Sequence, residues 1–123
     1  MGSSEEAEAV VRSVMDRWKA AVDGHEPEQV AAGFTEDAIF QGLQPYSVGR
    51  PGVVAYYSSQ PLGMTAAYRI VETRQPAEGL VLAYLAVDFS FTDRPTVSVW
   101  LSVLLKRAED GWRIGHYQVS RLG

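Results

Sequence analysis

The chain has 123 residues, 46% of them hydrophobic and 21% charged, and it contains no cysteine. This length and composition are typical of one globular domain, which we expect to span residues 1–123. The net charge of −4 argues against nucleic-acid binding, because a nucleic-acid surface is normally basic. Without cysteine and with only two histidines, the sequence predicts no metal site and no cofactor.

No apolar stretch of the sequence reaches the ~20 residues that are needed to cross a bilayer. Residues 1–6 are polar and acidic, whereas a secretory signal begins with basic residues that an apolar segment follows. We therefore expect a cytoplasmic protein with no membrane partner.

Helices are predicted in the N-terminal half of the chain. Apolar residues recur every three or four positions over 7–22, which is typical of an amphipathic helix. A short second helix is predicted over Pro27–Gly33, and a third begins near Arg50 and ends before Pro61. The intervening segments are predicted to be a turn (35–37), a short strand (38–43) and a loop (44–49).

Long strands are predicted for the part of the chain after Met64, where runs of alternating residues are separated by turn-forming residues. The predicted strands span 65–74, 80–92, 96–107 and 111–121. Helices followed by a meander of antiparallel strands indicate an α+β fold.

The two faces of the predicted sheet differ in polarity. Odd positions from Val81 to Leu105 are apolar throughout the strands, whereas the even positions mix apolar and polar residues. Neither face is polar enough to lie in water, and the helices can cover only one of them. We therefore predict that the helices cover the even face and that a homodimer buries the odd face.

The predicted turns bring polar residues of three strands together on the even face. Asp88 is expected about opposite Trp100, Trp100 about opposite Gln118, and Ser102 about opposite His116. A few polar groups within an apolar shell are typical of a small-ligand pocket. The even face is therefore predicted to line an internal cavity.

Asp88 and His116 are the candidate catalytic residues. Asp88 interrupts an otherwise apolar strand, and a desolvated carboxylate can act as a general base. His116 would serve as the acid or as an orienting group. The alternative is that Asp88 lies in water near a strand end and that His116 is a core histidine bonded to Ser102 or to a backbone carbonyl.

Trp18, Tyr57 and Trp100 are candidate ligand-binding residues, together with Ser102 and Gln118. Trp18 ends the apolar stripe of the first helix, and Tyr57 lies on the apolar face of the third, so both are expected to point inward. Aromatic residues at such spacing more often belong to a core than to a ligand site, and this alternative stays open.

The order of motifs along the chain resembles a known superfamily. The motifs are FTEDAIF at 34–40, VGRPGV at 48–53 and GWRIGHY at 111–117. This layout resembles the nuclear transport factor 2-like superfamily and, within it, the SnoaL-like small bacterial proteins, some of which are associated with enediyne polyketide biosynthesis. It is also similar to the association domain of calcium/calmodulin-dependent protein kinase type II, which has a second histidine at the position of Gln118.

The resemblance implies a cystatin-like α+β cone, in which a curved, mostly antiparallel sheet wraps over the N-terminal helices. It implies binding of a small hydrophobic, polyketide-like molecule in an internal cavity, as part of secondary metabolism. For an enzyme, the implied chemistry is cofactor-free proton transfer of the isomerase, cyclase or dehydratase type. The alternative is a non-catalytic dimeric carrier or an adaptor or scaffold domain.

Overall fold

A computed structural model describes residues 2–121, and the side chains from residue 5 onward. Its helices and strands are α1 (Gly2–Asp23), α2 (Pro27–Ala32), β1 (Phe34–Gln41), β2 (Ser47–Val48), α3 (Arg50–Ser58), β3 (Thr65–Ala77), β4 (Leu80–Ser90), β5 (Val97–Ala108) and β6 (Gly111–Arg121). The strands form one open sheet in the order β2-β1-β6-β5-β4-β3. Only the β1–β6 pair is parallel among the described strands, and the predicted α+β fold is confirmed. Within residues 2–121, no helix combines the length and the apolar character that a membrane crossing requires.

The segment between α2 and α3 differs from its prediction. Residues 35–37, predicted as a turn, belong to β1, which begins at Phe34. The pairing of β1 with β6 shifts between Phe34 and Ile39, so these residues lie in an irregular part of the strand. The Thr35 hydroxyl donates to the Asp37 carboxylate at 2.9 Å, which stabilises the irregular backbone locally.

The helices pack on the odd face of the sheet, and the predicted assignment of the two faces is therefore wrong. Val87, Val99 and Leu101 are 1% exposed or less, whereas Leu82 and Tyr84 on the even face are 38% and 39% exposed. An uninterrupted row of aliphatic side chains gains more from burial than a mixed row does. The homodimer predicted through the odd face is also wrong, because the chain's own helices fill that face.

A β-bulge at Gly115 changes which residues of β6 face the helices. Leu105 pairs with Ile114, the next pair is Leu104 with His116, and Gly115 is left without a partner of its own. Ile114 and Tyr117 are consequently both buried, at 1% exposed each. His116, which precedes Tyr117, points to the other face.

β3 lies at one edge of the sheet. Its pairing with β4 shifts twice, between Ile70 and Glu72 and again between Arg74 and Ala77. Each shift bends the strand and interrupts the regular ladder of hydrogen bonds.

The end of α1 is fastened to the beginning of β3 around Ala66. The Ala66 N–H donates to the Asp23 carboxylate at 2.9 Å, and Lys19 Nζ donates to the Ala66 carbonyl at 2.6 Å. Lys19 also forms an ion pair with Asp23 at 2.7 Å. These contacts fix α1 across the sheet, and α1 thereby carries Trp18 into the core.

Candidate functional site

The predicted catalytic residues lie on the uncovered outer face of the sheet, far from each other. On β5, Asp88 is paired with Ser98 and His116 with Leu104, which lies six residues further along the strand. At about 3.3 Å per residue, this separation is on the order of 20 Å. Asp88 accepts a hydrogen bond from Ser98 Oγ at 2.6 Å, and His116 Nε2 is 3.4 Å from Gln118 Oε1. The structure therefore does not bring Asp88 and His116 together around one small ligand.

Trp100, Ser102 and Gln118 also lie on the outer face. Ser102 is paired with Gln118 across β5 and β6. The Trp100 ring stacks on Tyr84, with ring centroids 5.4 Å apart and an interplanar angle of 15°. These residues share a face with Asp88 and His116, as the sequence predicted. The prediction that this face lines an internal cavity is wrong, because the helices cover the other face.

Trp18 and Tyr57 point into the core, as predicted, and there they meet Tyr117. Trp18 Nε1 donates to the Tyr57 hydroxyl at 3.2 Å, and the Tyr57 hydroxyl donates to the Tyr117 hydroxyl at 3.1 Å. All three side chains are 3% exposed or less. Tyr117 was not among the residues predicted from the sequence, because its inward orientation depends on the bulge at Gly115. A glycine two residues earlier in a strand is the signal that would have suggested such a bulge.

The hydroxyl groups of Tyr57 and Tyr117 are neutral hydrogen-bond donors. Burial is the main cause that raises the pKa of Tyr57, and its hydrogen bonds with Tyr117 and Trp18 oppose this increase. Burial also raises the pKa of Tyr117, and the neighbouring Tyr57 hydroxyl adds to the increase. Both residues therefore stay protonated near neutral pH and can polarise an acceptor but not remove a proton. No group of three or more His, Asp or Glu side chains is arranged to hold a metal within residues 2–121.

Aromatic rings fill the interior around these hydroxyls. The Phe40 ring stacks on Tyr117 with centroids 4.6 Å apart, and it lies 5.7 Å from Tyr57. Phe34 lies 5.9 Å from Tyr117. The middle of the core is therefore packed with aromatic rings.

A recess of about 60 Å³ lies at one margin of the core. Its walls include Phe89, Met64 and Val97, and its polar groups belong to Tyr56 and Gln60. Burial raises the pKa of Tyr56, while a hydrogen bond with the Leu43 backbone lowers it by a smaller amount. The Tyr56 hydroxyl therefore stays protonated and can donate to a hydrogen-bond acceptor in the recess.

The recess is in contact with the buried hydroxyl chain through two of its wall residues. Phe89 packs edge-on against Trp18 with centroids 6.1 Å apart. Tyr56 packs edge-on against Tyr57 at 5.1 Å. The hydrogen-bonded Trp18, Tyr57 and Tyr117 side chains thus pack behind two aromatic wall residues of the recess.

A larger groove of about 400 Å³ lies between α1, α2 and the first residues of β6. Its floor is apolar, and its rim carries Arg17, Glu26 and Arg113. None of these charged residues was a candidate from the sequence, because they are far apart along the chain and come together only in the folded protein.

No protein-family model matches this sequence, and a comparison with curated proteins also gives no match. Solved structures do match. A domain of unknown function with a cystatin-like fold from Nostoc punctiforme has a TM-score of 0.82 at 17% identity, covering 96% of this chain and 78% of that one.

Two further solved structures with similar folds carry more specific descriptions. A ketosteroid isomerase-like protein from Erwinia carotovora atroseptica has a TM-score of 0.80 at 22% identity, covering 94% of this chain and 95% of its own. A candidate calcium/calmodulin-dependent protein kinase type II association domain from Thiobacillus denitrificans has a TM-score of 0.77 at 16% identity. The match covers 91% of this chain and 94% of that one. At these identities the likeness establishes the fold and leaves the activity open. The chain therefore has the cystatin-like, nuclear transport factor 2-like fold that its sequence motifs implied.

Proposed function

We propose that the protein binds a small apolar molecule with one hydrogen-bond acceptor, such as the carbonyl of a polyketide-like ring, in the recess beside Tyr56. The observation that carries the proposal is the composition of this recess. Its walls are apolar, and Tyr56 and Gln60 supply its polar groups. Small-ligand sites have this composition, in which a few polar groups fix the orientation of a ligand that is otherwise held by apolar contact. One structural neighbour is described as ketosteroid isomerase-like, which agrees with a ring ketone as the ligand class.

The size of the recess limits how a ligand can enter. Its volume is about 60 Å³, compared with about 300–1,000 Å³ for ordinary ligand pockets. Leu43 forms part of the wall, is 39% exposed and lies between the paired residues of β1 and β2. Outward movement of Leu43 would enlarge the recess without breaking the main strands, so the proposed binding includes this movement.

The recess favours binding over proton transfer. A general base has to reach the atom from which it takes a proton, and the residues that line the recess include no carboxylate and no histidine among those described. The raised pKa of Tyr56 makes its hydroxyl a donor. These observations support the carrier hypothesis more than the isomerase, cyclase or dehydratase hypothesis.

Replacing Tyr56 by phenylalanine is expected to weaken binding of acetophenone about fivefold, since a neutral hydrogen bond contributes roughly 1 kcal/mol. Ethylbenzene has the same ring but no carbonyl, and its affinity is expected to stay unchanged. Both affinities can be measured by NMR chemical-shift titration of the protein. Equal losses for the two compounds would contradict the assigned hydrogen bond.

Filling the recess provides the second part of this test. Val97→Phe is expected to weaken the binding of both compounds. Val48→Phe makes the same substitution at a site that is 60% exposed, and it should change the binding of neither compound. Acetophenone incubated with the protein in D₂O should exchange its methyl protons at the uncatalysed rate. Unchanged binding in Val97→Phe would refute the recess as the site, and accelerated exchange would refute the carrier assignment.

We also propose that two copies of the chain associate through the outer face of the sheet. Leu82 and Tyr84 of β4 are 38% and 39% exposed, and their partners on β5 are Leu104 and Ser102. Trp100 stacks on Tyr84. The side chains of Leu82, Tyr84, Leu104 and Trp100 form an apolar patch of the kind that marks protein interfaces. A two-fold pair of identical patches closes into a dimer.

Trp100→Glu is expected to convert this dimer into monomers, because an unpaired carboxylate buried at the interface costs several kcal/mol. Light scattering at micromolar concentration should give twice the 13.5 kDa chain mass for the parent protein and the single mass for the variant. Leu62→Glu introduces the same charge in the connection between α3 and β3, outside the sheet, at a residue that is 74% exposed, and it should leave the dimer intact. A monomeric parent protein would exclude the proposed association.

A further inference from the structure

We propose that the groove between α1, α2 and β6 is a second binding site, which takes an amphipathic anion with a small apolar body and a carboxylate head. The volume of the groove, about 400 Å³, falls within the range of about 300–1,000 Å³ for ligand pockets. Among the described residues, it shares no lining residue with the recess beside Tyr56. The two sites can therefore be tested separately.

The floor of the groove suits an apolar body. Val14 and Ala21 of α1, Val30 of α2 and Ile114 of β6 line it, and each of them is 5% exposed or less. An alkyl chain or ring lying on these residues is removed from water, and this contributes about 25 cal/mol per Å² of apolar surface.

Two guanidinium groups converge at the rim of the groove. Arg113 Nη1 donates to the Trp112 carbonyl oxygen at 3.0 Å, and Arg17 Nη2 donates to the same oxygen at 3.4 Å. Arg113 is also paired with Asp110 at 3.0 Å. Within the described part of the chain, Arg17 donates only to backbone carbonyls, the other being that of Ser13 at 3.3 Å.

This arrangement leaves positive charge at the rim that a carboxylate would neutralise. A neutral carbonyl oxygen compensates a guanidinium charge less well than a carboxylate, which accepts shorter and stronger hydrogen bonds. Arg17 therefore gains more from an incoming carboxylate than from its present backbone partners.

Glu26 opposes such a ligand and so provides an internal control. It lines the same groove at the residue before α2, and its carboxylate is directed toward Gly24, where an added Cβ would lie 3.2 Å from Oε1. An anion in the groove is attracted by Arg17 and repelled by Glu26. Removing each charge should therefore change the affinity for an anion in opposite directions.

Isothermal titration calorimetry with decanoate, and with decanol as its uncharged counterpart, tests the site. Arg17→Gln is expected to weaken decanoate binding about tenfold, the effect of losing a hydrogen bond to a charged group. Glu26→Gln is expected to strengthen decanoate binding, and neither substitution should change the affinity for decanol. Arg17→Lys keeps the charge and should restore part of the affinity.

Two controls separate the groove from the rest of the surface and from the recess. Arg74→Gln removes an arginine on β3 whose side chain is 66% exposed, and it should leave decanoate binding unchanged. Val97→Phe, which fills the recess, should also leave it unchanged. Failure of the parent protein to bind decanoate, equal effects of Arg17→Gln and Arg74→Gln, or loss of decanoate binding in Val97→Phe alone would each overturn the proposal.

Discussion

Tyr117→Ala is expected to lower the free energy of unfolding by about 3–5 kcal/mol, the usual range for truncating a buried aromatic side chain. The Tyr117 ring is 1% exposed and stacks on Phe40, so its removal opens a cavity in the middle of the core. The Tyr57 hydroxyl also loses its acceptor, which adds the cost of a buried donor without a partner. Total stabilities of about 5–15 kcal/mol make this a large fraction of the whole.

Urea denaturation at fixed protein concentration measures this loss, and two variants complete the comparison. Tyr117→Phe keeps the ring and should lose only about 1 kcal/mol, which remains measurable even if Tyr117→Ala does not fold. Tyr46→Ala truncates a tyrosine that is 65% exposed and should change stability by about 0.5 kcal/mol or less. Similar losses for Tyr117→Ala and Tyr46→Ala would contradict the central place of Tyr117 in the core.

Raising the pH above about 10 is expected to destabilise the fold through Tyr57 and Tyr117. Burial raises the pKa of both hydroxyls above the ordinary value of 10.0. The folded protein thus keeps protons that the unfolded chain releases, and stability falls with rising pH by up to about 1.4 kcal/mol per unit for each tyrosine. Tyr68 acts in the same direction, because burial and its hydrogen bond to Asp16 raise its pKa to about 12. Below the pKa that these tyrosines have in the unfolded chain, their contribution to the free energy of unfolding is fully present.

The test is urea denaturation at a series of pH values from about 8 to about 11. The double variant Tyr57→Phe/Tyr117→Phe should start from a lower stability but lose less of it as the pH rises. Tyr46→Phe removes an exposed hydroxyl and should follow the parent protein. A double variant whose stability falls as steeply as that of the parent would show that these two hydroxyls do not control the alkaline transition.

The sequence predicted the long elements well because their periodicity extends over many residues. Trp18 and Tyr57 were placed inward by the helical pattern, and both are 3% exposed. The assignment of the sheet faces failed because polar residues on the even face were interpreted as a pocket. Polar groups such as Ser102 and Gln118 are also suited to a face that the chain's own helices leave uncovered.

The register of the two hairpins was the second failure, and its cause is local. Asp88 pairs with Ser98 and not with Trp100, because the turn between β4 and β5 is centred on residue 93, one position earlier than the predicted centre at residue 94. On β6, the bulge at Gly115 contributes one residue to the offset. Both pairings differ from the prediction by two residues, so each side chain kept its face while its neighbours changed. The charged rim of the groove was not predictable from periodicity, because Arg17 and Arg113 meet only through tertiary packing.

Strand β3 also limits how copies of the chain can associate. An open strand edge is a template on which another chain can add a strand, and repeated addition leads to fibres. On β3, the two register shifts interrupt that template, Pro76 lacks an N–H group, and Arg74 and Glu72 carry charges. A second chain therefore finds no continuous ladder to extend at this edge, which disfavours the growth of filaments by strand addition to β3.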